Sequence, residues 1–188
     1  MSSQDQISID IFKVIARAMS QSSNLDIMAN HMVQLLVAAL DIKACTIFAL
    51  NPETDELEIL ASVGLSLEYL DKGPIMADKS IVGTLKGESI VIRDVAGSDR
   101  LQYPEEAARE GIGAMVSVPI LFSGTAIGVL RLYHHEVWDI SDKDLDSLLI
   151  FSENLGLAMM YTRVLNALQT INETMSALST DVVPLFNE

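Results

Sequence analysis

The sequence has a single cysteine, no cluster of basic residues and no long apolar run, and each absence excludes a class of protein. With Cys45 alone among 188 residues, neither an internal disulfide nor a zinc site built from several thiolates can form. Cys45 lies in the apolar run 44–50, which indicates a buried strand thiol rather than a nucleophile. No apolar run approaches the roughly 18–20 residues that cross a bilayer, and the N-terminus lacks a secretory signal. We therefore expect a cytoplasmic protein.

The charge balance is strongly acidic, with 12 basic and 26 acidic residues and a net charge of −14. Because the cations are scattered along the chain, no basic patch is available to attract phosphate groups. An anionic membrane surface is disfavoured for the same reason. We therefore expect neither nucleic acid nor a membrane as a partner, and the charge serves solubility.

Two amphipathic segments open the chain. The first, over about 5–22, carries apolar residues at helical spacing on one stripe, namely Ile7, Ile11, Val14 and Ala18. The run Ser22-Ser23-Asn24 then breaks this helix and offers an N-cap for a second helix over 25–40.

Strands follow these helices. Residues 43–50 and 56–63 have strand patterns and are separated by a turn-like segment, 51–55. Alternation in the second strand predicts one buried face, formed by Leu57, Ile59, Ala61 and Val63. Further along, strands at 113–121 and 125–134 meet at Ser123-Gly124 as a hairpin.

The region between the two strand pairs, 64–112, is the least regular. It contains a short helical candidate at Ser80–Leu85, a strand at Glu88–Ile92 and a helix at Pro104–Arg109. Proline in the first turn and neighbouring acids favour the last of these helices.

A long helix closes the chain, with Ser141 as its predicted N-cap and no proline before Pro184. Past the core its apolar residues recur at spacings of four and three, which is a heptad pattern. A short helix frays alone in water, so this stripe requires a partner, and a second copy is the simplest one. Together with the N-terminal stripe, it predicts a homodimer through Ile7, Ile11, Val14, Val164, Leu168, Ile171 and Met175.

The order of these elements resembles a GAF domain, the small-molecule sensing module of many signalling proteins, over about residues 20–165. The matching motifs are Gly64, Val91-Ile92-Arg93-Asp94, Asp99-Arg100, Gly111-Ile112, Pro119, Gly124, Gly128-Val129-Leu130 and Trp138-Asp139-Ile140-Ser141-Asp142 with Leu145. The resemblance implies an α+β fold. Its central antiparallel sheet carries the N- and C-terminal helices on one face, and an irregular loop and short-helix crossover covers the other.

The resemblance also implies three regions: an N-terminal helix (1–19), a GAF-like sensory domain (20–163) and a C-terminal helical extension (164–188). Between the sheet and the crossover it implies a pocket for a small molecule of unknown identity. Such pockets have mostly apolar walls with a few placed polar groups. By resemblance the pocket is lined by Phe48, Val82, Arg93, Asp94, Tyr103, Ala114, Val116 and Tyr133, and any cofactor stays unidentified.

Differences between this sequence and known GAF members argue against some functions of that family. Tyr133-His134-His135 stands where cyclic-nucleotide-binding members have Asn-Lys, and one cysteine cannot perform a thiol redox cycle. Adjacent strand residues point to opposite faces, so the two histidines are not expected to share a metal ion. We expect a non-catalytic sensor that signals through dimeric terminal helices to a downstream protein. The alternative is a ligand-free dimerisation or protein-interaction scaffold.

Overall fold

The computed structural model describes residues 5–21, 24–51, 53–54, 56–73 and 82–181. Within this part of the chain the elements are α1 (Ile9–Gln21), α2 (Leu25–Leu40), β1 (Ala44–Leu50), β2 (Leu57–Val63), α3 (Leu67–Leu70), α4 (Val82–Leu85), β3 (Ile90–Ile92), α5 (Pro104–Arg109), β4 (Ala114–Phe122), β5 (Thr125–His134) and α6 (Asp142–Asp181). The strands form one sheet in the order β2-β1-β5-β4-β3. Each neighbouring pair is antiparallel.

Local capping chemistry sets where the long helices begin. The Asn24 side chain accepts a hydrogen bond from the Ile27 amide at 3.0 Å, and α2 starts at the next residue. The Ser141 hydroxyl accepts from the Asp144 amide at 3.1 Å, which confirms the predicted cap of α6. From there α6 runs for 40 residues without a break. None of the described helices is both long enough and apolar enough to cross a membrane.

Helices α1, α2 and α6 cover one face of the sheet and form the larger core with it. Fully buried residues from the helices and from the strands meet there: Met32, Leu36, Leu148, Phe151, Leu155, Ile47, Val118, Ile120, Leu130 and Leu132. A Cβ atom at Gly156 would lie 2.2 Å from the carbonyl oxygen of Leu121. Glycine at this position therefore allows α6 to approach β4 closely.

The crossover covers the opposite face, where the buried side chains form two smaller clusters. One comprises Ala44, Tyr69, Ile92, Val95, Ala107, Ile112, Met115 and Tyr133, and the other Phe48, Leu57 and Val129. Helix α3, which the sequence patterns did not reveal, belongs to this layer and is capped by the Ser66 hydroxyl. The predicted α+β architecture, with terminal helices on one face and a crossover on the other, is confirmed.

A β-bulge changes the side of the sheet on which the side chains of β2 lie. The register shifts between Ile47 and Phe48, which pair with Ala61 and Ile59 respectively. Beyond this shift Leu57 lies in the crossover-side cluster, whereas Ala61 lies in the helix-side core. The predicted single buried face of this strand is therefore wrong, because strict alternation assumes an uninterrupted register.

The N-terminal segment is bound to α6 of its own chain. The backbone amides of Gln6 and Ile7 donate to the Asp144 carboxylate at 2.8 and 2.7 Å. Ile7 is only 2 % exposed and lies in the helix-side core. It cannot contact a second copy in this arrangement, so its predicted role at a dimer surface is not supported. Ile11 is half-buried beside the same core, and Val14 is exposed.

Candidate functional site

A small cavity lies between the sheet and the crossover, on the side away from the terminal helices. It has a volume of about 20 Å³ and is lined by Tyr69, Lys72, Leu101, Gln102, Tyr103, Met115 and Arg131. Such a volume accommodates about one water molecule. The cavity therefore joins groups from the end of α3, the loop before α5 and both strands of the hairpin.

Polar side chains from the sheet form the floor of this region. The hairpin register places Ser117 opposite Arg131, and the Arg131 Nε atom donates to the Ser117 hydroxyl at 2.9 Å. Arg131 is only 5 % exposed. On β1, the Thr46 and Ser62 hydroxyls lie 2.8 Å apart. Buried polar groups require hydrogen-bonding partners, and here neighbouring strands supply them.

Lys72 forms part of the roof. Its Nζ atom donates to the Tyr69 carbonyl oxygen at 2.8 Å and lies 3.7 Å from the centroid of the Tyr69 ring. The Tyr103 ring centroid is 5.8 Å away. Burial, followed by the charge of Arg131, lowers the pKa of Lys72 to about 8, against the opposing effect of Glu106 and Glu110. Lys72 is thus a half-buried ammonium held mainly by a carbonyl and two aromatic faces.

Two tyrosines connect the roof and the floor. The rings of Tyr69 and Tyr133 meet edge to face, with centroids 6.1 Å apart. The Tyr133 hydroxyl is hydrogen-bonded to the side chains of Thr46 and Arg131. Burial raises the pKa of both phenols above the ordinary value. Both hydroxyls therefore stay protonated at neutral pH.

Four of the residues implied by the family resemblance lie on this face of the sheet or in the crossover that covers it. Tyr103 lines the cavity, and Tyr133 is buried beside Tyr69 and Met115. Phe48 is on the same face but packs with Leu57 and Val129 in the separate cluster. Val82 begins α4, and its side chain lies outside the described residues.

The other four implied residues lie elsewhere. Arg93 is on the surface, where its Nε atom is 2.6 Å from the Asp139 carboxylate, and Asp94 accepts from the Ala96 amide in an exposed turn. Ala114 and Val116 belong to the helix-side core. Because side chains alternate along β4, it is the intervening Met115 and the following Ser117 that face the crossover.

Lys72 and Arg131 were not found by reading the sequence, although Arg131 carries a visible signal. It is the one charged residue in the apolar strand 125–134 and is flanked by Leu130 and Leu132. A charge within an apolar strand marks a polar position on one of its faces. Lys72 has no comparable signal, because it lies in an irregular segment that only the tertiary fold brings over the sheet.

The histidine pair lies outside this cavity. The rings of His134 and His135 stack with centroids 4.4 Å apart, and His134 also stacks on Trp138. The expectation that they point to opposite faces is wrong, because β5 ends at His134 and alternation ends with it. Among the described residues no group of three or more His, Cys, Asp or Glu side chains is placed to hold a metal ion.

Cys45 is in the helix-side core. It is fully buried and free, and burial raises the pKa of its thiol. The interpretation of Cys45 as a buried strand thiol is therefore confirmed. A thiol of this kind stays protonated and unreactive.

The surface of α6 carries a continuous apolar stripe. Its members are 52–66 % exposed and recur at spacings of four and three: Leu157, Tyr161, Val164, Leu168, Ile171 and Met175. The stripe starts within the domain, seven residues before the predicted seam. Only Arg163 and Glu173 are charged between 154 and 180. A solvated helix in a chain of net charge −14 is expected to carry more charge, so this surface has the character of a contact face.

Comparisons with known proteins find the same architecture in other proteins. The family model described as GAF domain matches residues 22–160. The GAF domain of a phosphoenolpyruvate-protein phosphotransferase from Coxiella burnetii is 19% identical, with a TM-score of 0.76 over 85% of this chain and 96% of that one. The corresponding Acinetobacter domain is 17% identical, with a TM-score of 0.72 over 85% and 96%.

A third similar structure is free methionine-R-sulfoxide reductase from Neisseria meningitidis, in complex with its substrate. It is 16% identical to this chain, with a TM-score of 0.69 over 87% of this chain and 98% of that one. No curated protein sequence is significantly similar. At these identities the structural likeness supports the fold alone.

Proposed function

The chain belongs to the GAF domain family of signalling and sensor domains, and on that premise we propose that it is a non-catalytic sensor. It binds a small molecule beneath the crossover and signals through paired terminal helices to a downstream protein. The observation that carries the proposal is the contrast within the sheet. The strands present Met115 and Arg131 to the cavity on one face, with Ser117 hydrogen-bonded to Arg131, while the other face is an apolar core.

Ligand entry requires rearrangement, since the cavity is about 20 Å³ in volume. The turn at Lys72 and Gly73 forms part of the roof: Lys72 lines the cavity, and a Cβ atom at Gly73 would lie 2.9 Å from the hydroxyl of Tyr103, which also lines it. A ligand that displaces this turn selects an arrangement with a larger pocket. The small volume is also the observation that favours the alternative, a ligand-free scaffold.

Signal transmission would use the hairpin and α6. Met115 and Arg131 contact the cavity, whereas the adjacent Val116 and Leu132 pack in the core beneath α6. Any displacement of these strands reaches α6, which touches β4 closely at Gly156. A ligand shifts this equilibrium only if its affinity differs between the two arrangements. The output is then a change in how two α6 helices pack.

The partner of α6 in this proposal is a second copy of the chain. The exposed stripe from Leu157 to Met175 has the spacing of a coiled-coil seam, in which identical positions face each other in a parallel pair. The seam runs about 27 Å along the helix at roughly 1.5 Å per residue. Ile7 takes no part, since it is buried in its own chain.

Methyl NMR tests the binding step. In protein labelled at its methionine methyl groups, we expect a ligand found by thermal-shift screening to shift Met115, which lines the cavity. Met32, which is fully buried in the helix-side core, is the internal control and should shift much less. Stabilising compounds that leave Met115 unmoved, or a screen that yields none, would favour the scaffold.

Light scattering tests the dimer. Leu168→Glu places a charge in the exposed stripe and should convert the dimer to monomer, because a buried unpaired charge is strongly unfavourable. Asn166→Glu introduces the same charge on the same helix outside the stripe and should leave the dimer intact. A wild-type mass of one chain, or equal effects of the two variants, contradicts dimerisation through α6.

A further inference from the structure

We propose that the ligand is a small organic carboxylate whose negative group pairs with the Lys72 ammonium at the roof of the cavity. The inference rests on the proposed function, because it names the ligand class of the same site. The ligand class is a carboxylate because this planar group is the smallest anionic head group of organic molecules, so a cavity of about 20 Å³ needs to enlarge least to admit it.

Lys72 lies in an environment that lacks a counterion among the described residues. An ammonium has three N–H donors, and one is directed to the Tyr69 carbonyl oxygen. Among the described residues, no carboxylate forms an ion pair with Lys72. A half-buried cation in this position loses hydration without gaining a counterion. A carboxylate in the cavity would supply the missing negative charge and accept the remaining donors.

The charges nearest to Lys72 also favour a negative ligand. Arg131 from β5 adds a second cation to the cavity, and the phenols of Tyr69 and Tyr133, whose pKa is raised by burial, are uncharged at neutral pH. Glu106 from α5 and Glu110, the residue after that helix, are the acids that raise the pKa of Lys72, and neither lines the cavity. The local field therefore favours an anion and disfavours a cation.

Both of these acids already have partners other than Lys72. Glu110 accepts from Ser66 and lies 3.5 Å from the Lys43 ammonium. Glu106 lies 3.8 Å from the Arg109 guanidinium. Because each carboxylate has a cation of its own, neither is expected to compete with a ligand for Lys72. Leu101 and Met115 provide apolar surface for the body of the ligand.

The protonation of Lys72 gives the proposal a direct readout. Burial and Arg131 lower its pKa to about 8, and a bound carboxylate would raise this pKa by favouring the charged form. In protein with ¹³C-labelled lysine, we expect the chemical shift of Lys72 Cε to change with a midpoint near that pH. Addition of propionate or benzoate should move this midpoint to higher pH. The matched neutral probes, propionamide and benzamide, should leave the titration unchanged.

Two variants separate charge from shape. Lys72→Met should weaken benzoate binding at least tenfold, since a charge-assisted hydrogen bond is lost. Lys72→Arg keeps a cation that does not titrate in this range and should retain binding. Wild-type affinity should fall about tenfold for each pH unit above the Lys72 pKa, and Lys72→Arg should not show this fall.

The outcomes distinguish the inference from the proposed function. Carboxylates that shift Met115 and raise the Lys72 pKa, while amides do neither, support both. Amides that shift Met115 as strongly as carboxylates, in a manner independent of Lys72, overturn the carboxylate assignment and leave the sensor intact. Failure of every probe in both series to shift Met115 or Lys72 overturns the carboxylate assignment, and the sensor itself is overturned only if the thermal-shift screen also yields no ligand that shifts Met115.

Discussion

The two faces of the sheet differ in what their strands contribute. Toward the terminal helices, the fully buried side chains of β1, β4 and β5 are apolar and pack against α2 and α6. Toward the crossover, the same three strands present Thr46, Ser117, Arg131 and Tyr133 among apolar neighbours. One sheet thus carries a core built for packing on one side and a polar, buried surface on the other.

This difference indicates that one face of the sheet contributes mainly to stability and the other mainly to function. Apolar burial stabilises the fold at about 25 cal/mol per Å² of surface removed from water. A buried cation or hydroxyl contributes little net stability even when it is hydrogen-bonded. Sequences depart from local folding rules mostly at functional or strained sites. The crossover side, where Lys72 and Arg131 lie, is therefore the face on which we place ligand recognition.

The largest expected effect is on the helix side. Phe151→Ala should lower the free energy of unfolding by about 3–5 kcal/mol, because it opens a cavity in the core and removes a ring that stacks on Phe12 at 4.7 Å. Urea denaturation measures this change. Phe151→Leu keeps most of the volume and is expected to lose less than half as much. Similar losses for the two variants would show that packing volume is not what this position contributes.

A smaller effect of opposite sign is expected on the crossover side. Lys72→Met should raise the free energy of unfolding at neutral pH by about 1 kcal/mol, a modest figure because solvent reaches part of Lys72. The side chain loses a charge that burial disfavours and keeps its apolar stem. Destabilisation by Lys72→Met would mean that the ammonium supports the fold, and the contrast between the two faces would fail.

The stability difference between the wild type and Lys72→Met depends on pH, because the pKa of Lys72 is lowered in the folded protein. The folded-state pKa of Lys72, about 8, is below its ordinary value of 10.5. Between these two pKa values Lys72 is mostly protonated in the unfolded chain and mostly neutral in the folded one. Rising pH therefore stabilises the wild type relative to Lys72→Met. The advantage of the variant should be full below pH 8 and disappear as pH rises toward 10.5. Denaturation curves of both proteins across this range measure it.

The sequence was informative where local chemistry decides the structure. Helix α2 could be placed from its apolar stripe and the Asn24 cap, and α6 from Ser141. The hairpin turn could be placed from Ser123-Gly124, both of which have positive φ. Side-chain facing was less predictable. The bulge at Ile47 and Phe48 changed the buried face of β2, and nothing local in the sequence announces it.

The candidate site was the least predictable part. Tyr103 and Tyr133 were implied by family resemblance, whereas Ala114 and Val116 were assigned to the wrong face of β4. A one-residue error in facing exchanges the two sides of a strand completely. Lys72 lies far from Arg131 in sequence, so only the packing of the crossover over the hairpin reveals that they share a cavity.

By itself the sequence determined most of the helices and strands and their order, because periodicity, caps and turn residues act over a few positions, and the class of fold was implied by the family resemblance. Only the tertiary structure decided which face each strand residue occupies, that Ile7 is buried against its own α6, and that two cations meet beneath the crossover. These features depend on contacts between distant segments, which no local pattern encodes.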